Sequence, residues 1–192
     1  GRCRACRGPI AWRYPLVELA SAVLAAACVL VAGVSLTALS AFVFLELLLL
    51  IAVIDWEHMI IPHSLTVAGL CCGLALATWS GPGLGPALLG AAVGGGVVLV
   101  LSEGYRRLRG QAGMGGGDVM LMAMVGAFLG PWPAAGVLGV GALLRTLYVL
   151  ARGGGRLDGA AKLPFGTFLA AGAAGVLLWG QRIWDWYLGF LA

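Results

Sequence analysis

Two aspartates in a largely apolar chain, Asp55 and Asp118, are the residues whose positions point most clearly to chemistry. Asp55 follows an uninterrupted apolar run over 47–54, and Asp118 follows the glycine-rich segment 113–117. Because an Asp costs about 2.5–3.5 kcal/mol at the centre of a membrane helix, an acid at membrane depth invites a functional explanation. Each acid alone has an equally good alternative: a helix N-cap for Asp118, and a cap or boundary charge for Asp55.

A pair of such acids could hydrolyse a peptide bond. Two adjacent carboxylates share one proton, because both cannot ionise at low cost. One can then activate water as a base while the other donates a proton to the amide carbonyl, without a metal or a nucleophilic side chain. The sequence contains no recognisable serine-hydrolase motif or HExxH zinc motif, and its only histidines are His58 and His63.

The composition indicates that lipid surrounds most of the chain. Of 192 residues, 61% are hydrophobic and only 10% are charged, and the mean hydropathy is +0.99, far from the values of a soluble domain. Asp, Glu, Lys and Arg are absent from 19–45, 59–102, 119–144 and 163–181. A spanning helix needs roughly 20 mostly apolar residues, and long apolar runs without alternation exclude a β-barrel.

We therefore predict an all-α fold, a polytopic transmembrane helical bundle with about seven spans. The predicted spans cover residues 16–34, 37–55, 63–80, 84–104, 118–131, 133–151 and 164–181. The fifth is short, so it is expected to be partly re-entrant or to continue into the sixth through Pro131-Trp132-Pro133. Glycines within apolar runs, such as 90–96, are expected to let helices approach closely.

Cations are distributed unequally between the two sides of this predicted topology. One side carries ten of the twelve Lys and Arg residues, namely Arg2, Arg4, Arg7, Arg13, Arg106, Arg107, Arg109, Arg152, Arg156 and Lys162. Positively charged loops stay in the cytoplasm, so this side is predicted to be cytoplasmic, with Asp55 and Asp118 at its boundary. The same asymmetry accounts for the net charge of +4, and no nucleic-acid binding is predicted.

Five segments resemble known motifs in a fixed order. They are Cys3–Cys6, Trp12–Leu19, Ile54–Pro62, Gly115–Asp118 and Leu163–Ala170. Asp55 and Pro62 are spaced as in an Asp-x6-Pro motif, and Gly115, Gly117 and Asp118 as in Gly-x-Gly-Asp. Together these segments are similar to the type IV prepilin peptidase family (prepilin leader peptidase/N-methyltransferase), a group of GxGD-type intramembrane aspartic peptidases. The resemblance covers nearly the whole chain.

The resemblance implies an aspartic endopeptidase of the bacterial cytoplasmic (inner) membrane, with its active site facing the cytoplasm. Such enzymes cleave the basic leader peptide from type IV prepilins or pseudopilins, so the implied partners are that substrate and the lipid bilayer. It also implies that Asp55 and Asp118 are the catalytic pair, that Gly115 and Gly117 form the substrate-positioning loop, and that the peptidase needs no cofactor. Glu18 is a secondary candidate, with a boundary charge as its alternative.

The N-terminal end departs from the family. Members with both activities carry two Cys-x-x-Cys pairs, whereas this chain has only Cys3 and Cys6, half of a four-ligand zinc site. Residues 1–15 are interpreted as the C-terminal part of a cytoplasmic Cys-containing segment and residues 16–192 as the membrane-embedded peptidase domain. Because the chain starts without Met, we expect further residues upstream. For the intact protein the cysteine spacing predicts a four-cysteine zinc site, with free thiols as the alternative, and the resemblance implies S-adenosylmethionine for N-methylation of the new N-terminus.

The alternative function is a small membrane transporter or a proton-coupled channel that uses membrane carboxylates. It predicts acids near the midplane and two related halves, whereas both candidate acids lie at one predicted boundary and the halves are unrelated. A non-catalytic scaffold, with the acids as caps only, is a second alternative. Glu46, near the middle of a span, is expected to form an interhelical hydrogen bond in its protonated state, with substrate contact as the alternative. Cys28, Cys71 and Cys72 are expected to be small buried hydrophobic residues.

Overall fold

The chain folds into helices joined by short connections. A computed structural model describes residues 1, 4, 6–8, 11–110, 114–152 and 163–191, and these residues form seven α-helices. The helices are α1 (Arg13–Ala32), α2 (Leu36–His58), α3 (His63–Ser80), α4 (Leu84–Arg109), α5 (Gly116–Leu129), α6 (Pro131–Ala151) and α7 (Phe165–Leu191). Each predicted span coincides with one of them, so the all-α prediction is confirmed. The domain boundary at residues 15 and 16 stays a prediction.

Five of the helices, α1, α2, α3, α4 and α6, are long enough and apolar enough to cross a membrane. Among the others, α5 has 14 residues, a length of about 21 Å at 1.5 Å per residue. That is shorter than a hydrocarbon core of roughly 30 Å. Helix α7 is longer but includes the polar residues Gln181 and Arg182. The described helices are those of a multi-pass membrane protein.

A single glycine separates α5 from α6. Gly130 has φ 84° and ψ 178°, a conformation that favours glycine, and Pro131 then starts α6. The expectation that α5 continues into α6 is therefore wrong, because the backbone turns at Gly130. Whether α5 is re-entrant stays a prediction.

Helix α5 lies at the centre of the bundle and packs most extensively against α4. Its residues Leu121, Met122, Met124 and Val125 are fully buried. The two helices are in backbone contact, because a Cβ added at Gly90 or Gly126 would meet the carbonyl oxygen of the other glycine. The predicted close approach around residues 90–96 is confirmed.

The connections between helices place the two aspartates along the bundle. Helix α2 ends at His58, and Met59 adopts a left-handed conformation (φ 54°) while its N–H donates to the Asp55 carbonyl over 2.8 Å. The Ser102 hydroxyl, near the end of α4, donates to the Met114 carbonyl over 3.0 Å. This contact holds the segment that leads into α5. Asp55 and Asp118 therefore lie at the same end of the bundle.

Glu46 and the cysteines lie away from that end. The Ser21 hydroxyl of α1 donates to Oε1 of Glu46 in α2 over 2.7 Å, so the predicted interhelical bond is confirmed. Cys28 is buried as expected, but the expectation is wrong for Cys71 and Cys72, which are exposed. The buried residues of α3 are Thr66, Gly69, Gly73 and Ala77. They share one helical face, and the two cysteines fall outside it.

Candidate active site

Asp55 sits in the last turn of α2, and only 4% of its surface is exposed. Its Oδ2 accepts a hydrogen bond from the Thr167 backbone N–H at 2.8 Å and from the Thr167 hydroxyl at 3.3 Å. The hydroxyl also lies 3.1 Å from the Ala52 carbonyl, to which it can donate. Because the first N–H groups of a helix lack intrahelical acceptors, Asp55 satisfies one of them at the start of α7.

Asp118 is the third residue of α5 and is 7% exposed. Its Oδ2 accepts a hydrogen bond from the Gly115 N–H over 3.0 Å, while its own N–H donates to the Gly115 carbonyl over 3.1 Å. The N-cap position belongs to Gly115, so the N-cap alternative for Asp118 is wrong in position. Its carboxylate nevertheless reaches back to the N-cap backbone, as an acid at the third helical position can.

The two carboxylates are close enough to interact electrostatically. Oδ2 of Asp55 is held by the backbone of α7 and Oδ2 of Asp118 by the N-cap of its own helix, and within the described residues no hydrogen bond reaches Oδ1 of either. The pair thus combines two fixed carboxylates, each with one oxygen available to water or substrate. This arrangement suits acid–base catalysis by a proton-sharing pair.

Ile61 packs between the segments that carry the two acids. A Cβ at Gly117, next to Asp118, would lie 2.8 Å from Cβ of Ile61. A Cβ at Gly166 would lie 2.6 Å from Cδ1 of Ile61 and 2.9 Å from Oδ2 of Asp55. A side chain at either position would force neighbouring atoms, above all those of Ile61, to shift.

A cation from α6 also reaches the site. The Arg145 guanidinium carbon lies 5.4 Å from the centroid of the Phe165 ring, a cation–π geometry. The same side chain interacts electrostatically with the Asp118 carboxylate. Arg145 is therefore close to one aspartate and contacts the segment that binds the other.

The structure brings together four of the predicted site residues: Asp55, Asp118, Gly115 and Gly117. The secondary candidate Glu18 is exposed on α1, and within the described residues it forms no hydrogen bond or ion pair. Cys6 is exposed and Cys3 lies outside the described residues. Across the part of the chain that the structure describes, no group of three or more His, Cys, Asp or Glu residues could hold a metal ion.

The sequence alone assigns no role to Thr167, Ile61 or Arg145. The only indication for Thr167 and Ile61 is that both fall inside segments that resemble the family's motifs. Arg145 had a weaker signal, an isolated cation within an apolar span, and it was not connected to the site. Its contact with Phe165 depends on the packing of α6 against α7.

Comparison with known proteins identifies related sequences. Residues 42–180 match the type IV leader peptidase family, and residues 1–32 match the bacterial peptidase A24 N-terminal domain. Three similar proteins carry the name prepilin leader peptidase/N-methyltransferase. That of Burkholderia pseudomallei (strain 1026b) is 40% identical over 183 residues, which are 94% of this chain and 59% of the relative.

The other two relatives show similar identities. That of Aeromonas hydrophila is 37% identical over 194 residues, covering 98% of this chain and 66% of the relative. That of Myxococcus xanthus (strain DK1622) is 41% identical over 161 residues, covering 79% of this chain and 47% of the relative. The chain thus spans less than two thirds of the length of these curated relatives. No solved structure matches it significantly.

Proposed function

Because the chain belongs to the type IV leader peptidase family, we propose that it is the aspartic endopeptidase part of an enzyme that removes the basic leader from type IV prepilins or pseudopilins. The observation that carries the proposal is the pair of buried aspartates, Asp55 and Asp118, each held through Oδ2. Family membership favours this function over a transporter or channel.

The proposed reaction uses the pair as a shared acid and base. The ionised carboxylate takes a proton from water, whose oxygen attacks the carbonyl carbon of the scissile peptide bond. The protonated carboxyl donates to the carbonyl oxygen, and a proton then passes to the leaving amine as the C–N bond breaks. The backbone donors of Thr167 and Gly115 keep the carboxylates in place, so little reorganisation is needed.

The proposed cleavage takes place at the cytoplasmic face of the inner membrane. Both acids lie at the end of the bundle where Arg106, Arg107, Arg109 and Arg152 also lie, and positive segments stay in the cytoplasm. A basic leader would remain in water there while the apolar pilin helix stays in lipid. Gly115 and Gly117 are proposed to admit the extended backbone of the substrate beside Asp118, because they have no side chains.

The relatives' names also include N-methyltransferase. We propose that the intact protein methylates the new N-terminus with S-adenosylmethionine and that zinc stabilises its cysteine-containing segment. The described residues of this chain do not supply a zinc site, because Cys6 is the only described cysteine of the pair.

Substitution of the two aspartates tests the proposal. In the full-length protein reconstituted with a prepilin, Asp55→Asn and Asp118→Asn should each lower the cleavage rate by about 100- to 10,000-fold, the usual contribution of general acid–base catalysis. Circular dichroism and gel filtration should show that both variants stay folded. The matched control is Asp185→Asn, about 30 Å along α7 from Phe165, which should cleave normally. Full processing by either dyad variant would rule out the proposed mechanism.

A further inference from the structure

An open groove lies between the last turns of α2 and the start of α7, and it reaches Asp55 through Thr167. It has a volume of about 270 Å³ and is lined by Ala52, Val53, Trp56 and Glu57 of α2 and by Thr167 of α7. Thr167 is the residue that holds the Asp55 carboxylate. A peptide lying in the groove would therefore continue towards the proposed catalytic pair.

The groove combines an apolar floor with one acid. Ala52, Val53 and Trp56 are apolar, and the Trp56 residue is 49% exposed. An exposed indole ring can also bind a cation over its face. The carboxylate comes from Glu57, whose side chain is 31% exposed. A basic side chain with an apolar stem would satisfy both parts of the groove.

Glu57 already binds a guanidinium of the same chain. Arg13, the first residue of α1, donates from NH1 to Oε2 of Glu57 over 2.7 Å, and the Arg13 side chain is 52% exposed. His58 Nε2 also faces Glu57, at 3.8 Å. Exposed ion pairs contribute only about 0.2–1 kcal/mol, so another cation can replace Arg13 at low cost.

Among the described acids only Glu57 lines the groove, and the exposed acids Glu18 and Asp185 lie on α1 and α7 outside it. Asp55 and Asp118 are buried, and Glu103 is bound by Arg106 and Arg107. Glu46 is bound by Ser21. The neighbouring surface is positive, since Arg152 covers the Tyr148 ring, which in turn contacts Trp56. A basic peptide would meet repulsion there and attraction at Glu57.

We infer that this groove binds a basic side chain of the leader peptide, with Glu57 as its carboxylate partner and Arg13 as the resident cation that the substrate displaces. The inference rests on the proposed peptidase function. It assigns Glu57 a role in substrate specificity, because pairing with this acid favours a leader that carries a basic side chain near Asp55.

The test uses full-length protein, a prepilin with its natural basic leader, and the same prepilin with the leader Lys and Arg residues replaced by Gln. Glu57→Gln should raise KM for the basic leader by up to about fivefold, the effect of one exposed ion pair, with kcat unchanged. It should leave KM for the neutral leader unaltered.

Arg13→Gln should lower KM for the basic leader, because it removes the cation that competes for Glu57. The control is Glu103→Gln, an acid at the same end of the bundle, which should not distinguish the two leaders.

Two results would overturn the inference: equal effects of Glu57→Gln on both leaders, or an Arg13→Gln variant that behaves like Glu57→Gln, as expected for a purely structural ion pair.

A binding measurement separates the inference about Glu57 from the proposed peptidase function. The affinity of Asp118→Asn protein for a labelled basic leader peptide, measured by fluorescence anisotropy, should weaken by up to about fivefold when Glu57→Gln is added. Binding that depends on Glu57 without any wild-type cleavage would leave the inference standing and remove the peptidase. Cleavage without any dependence on Glu57 would leave the peptidase function standing and remove the inference about Glu57.

Discussion

The backbone N–H of Thr167 donates a hydrogen bond to Oδ2 of Asp55 over 2.8 Å, although the residues are 112 positions apart. The Thr167 hydroxyl, 3.3 Å from the same oxygen, also lies within hydrogen-bonding distance of the Ala52 carbonyl, one turn earlier in α2. Thr167 therefore connects the start of α7 to the last turn of α2. The orientation of the Asp55 carboxylate depends on this connection, since its Oδ2 has no other hydrogen bond in the described structure.

The Thr167 hydroxyl can be tested separately from the N–H. Thr167→Val keeps the shape and the backbone donor but removes the hydroxyl, so kcat should fall about tenfold, as expected for a lost hydrogen bond to a charged group. Thr167→Ser keeps a hydroxyl and should retain most of the activity. Steady-state kinetics on a prepilin gives both values. Equal activity of the Val and Ser variants would show that the backbone N–H alone positions Asp55.

Gly166 should be intolerant of a methyl group. In Gly166→Ala the new Cβ would lie 2.9 Å from Oδ2 of Asp55 and 2.6 Å from Cδ1 of Ile61. Because both atoms end side chains, they can move, and we expect a large loss of cleavage with little loss of stability. Gly175→Ala in the same helix is the control, since nothing lies within 4 Å of its Cβ position. Cleavage rates and thermal unfolding in detergent distinguish the two effects.

Arg145 should affect cleavage both through its charge near Asp118 and through its contact with Phe165. Arg145→Met removes the cation near Asp118 and the contact with Phe165, and cleavage should fall about 2- to 30-fold, as for loss of a 0.5–2 kcal/mol cation–π interaction. Arg145→Lys should recover part of the rate, because it restores the charge but not the planar stack. The control is Arg152→Met on the same helix, whose guanidinium lies over Tyr148. A rate loss in Arg152→Met as large as that in Arg145→Met would contradict a specific role for Arg145.

Gly126 should matter for stability more than for catalysis. A Cβ there would meet the Gly90 backbone, which cannot move like a side chain end, so Gly126→Ala should destabilise the protein by about 1–3 kcal/mol. Gly96→Ala in α4 faces open space and should be neutral or slightly stabilising. Unfolding by denaturant in mixed micelles measures both. An equal stability of the two variants would show that α4 and α5 can separate without cost.

Glu46 provides a test of its expected protonated state. One of its oxygens accepts from Ser21, and within the part of the chain that the structure describes the other is buried without a hydrogen-bond partner. If Glu46 is protonated, Glu46→Gln replaces one neutral group with another, and the unfolding free energy should change little. Ser21→Ala should lower it by about 0.6 kcal/mol, an average value for hydrogen bonds between membrane helices. A strong loss of stability in Glu46→Gln would indicate an ionised carboxylate.

The sequence by itself determined the helices and the common depth of the two acids. Apolar runs of sufficient length predict spans, and alternating direction then places Asp55 at the end of α2 and Asp118 at the start of α5 on one side. The glycine pattern around residues 90–96 also predicted a close contact, because small residues permit it in any membrane helix. These inferences need only the order and composition of the chain.

The tertiary structure alone decided which side chains meet those acids. Thr167 and Arg145 reach the site because particular faces of α7 and α6 pack towards α2 and α5, and Ile61 reaches it from the connection between α2 and α3. Helices surrounded by lipid are apolar on every side, so the sequence does not show which face is buried, as it would for an amphipathic helix in water. The partners of Asp55 and Asp118, and the groove beside Asp55, follow from that packing.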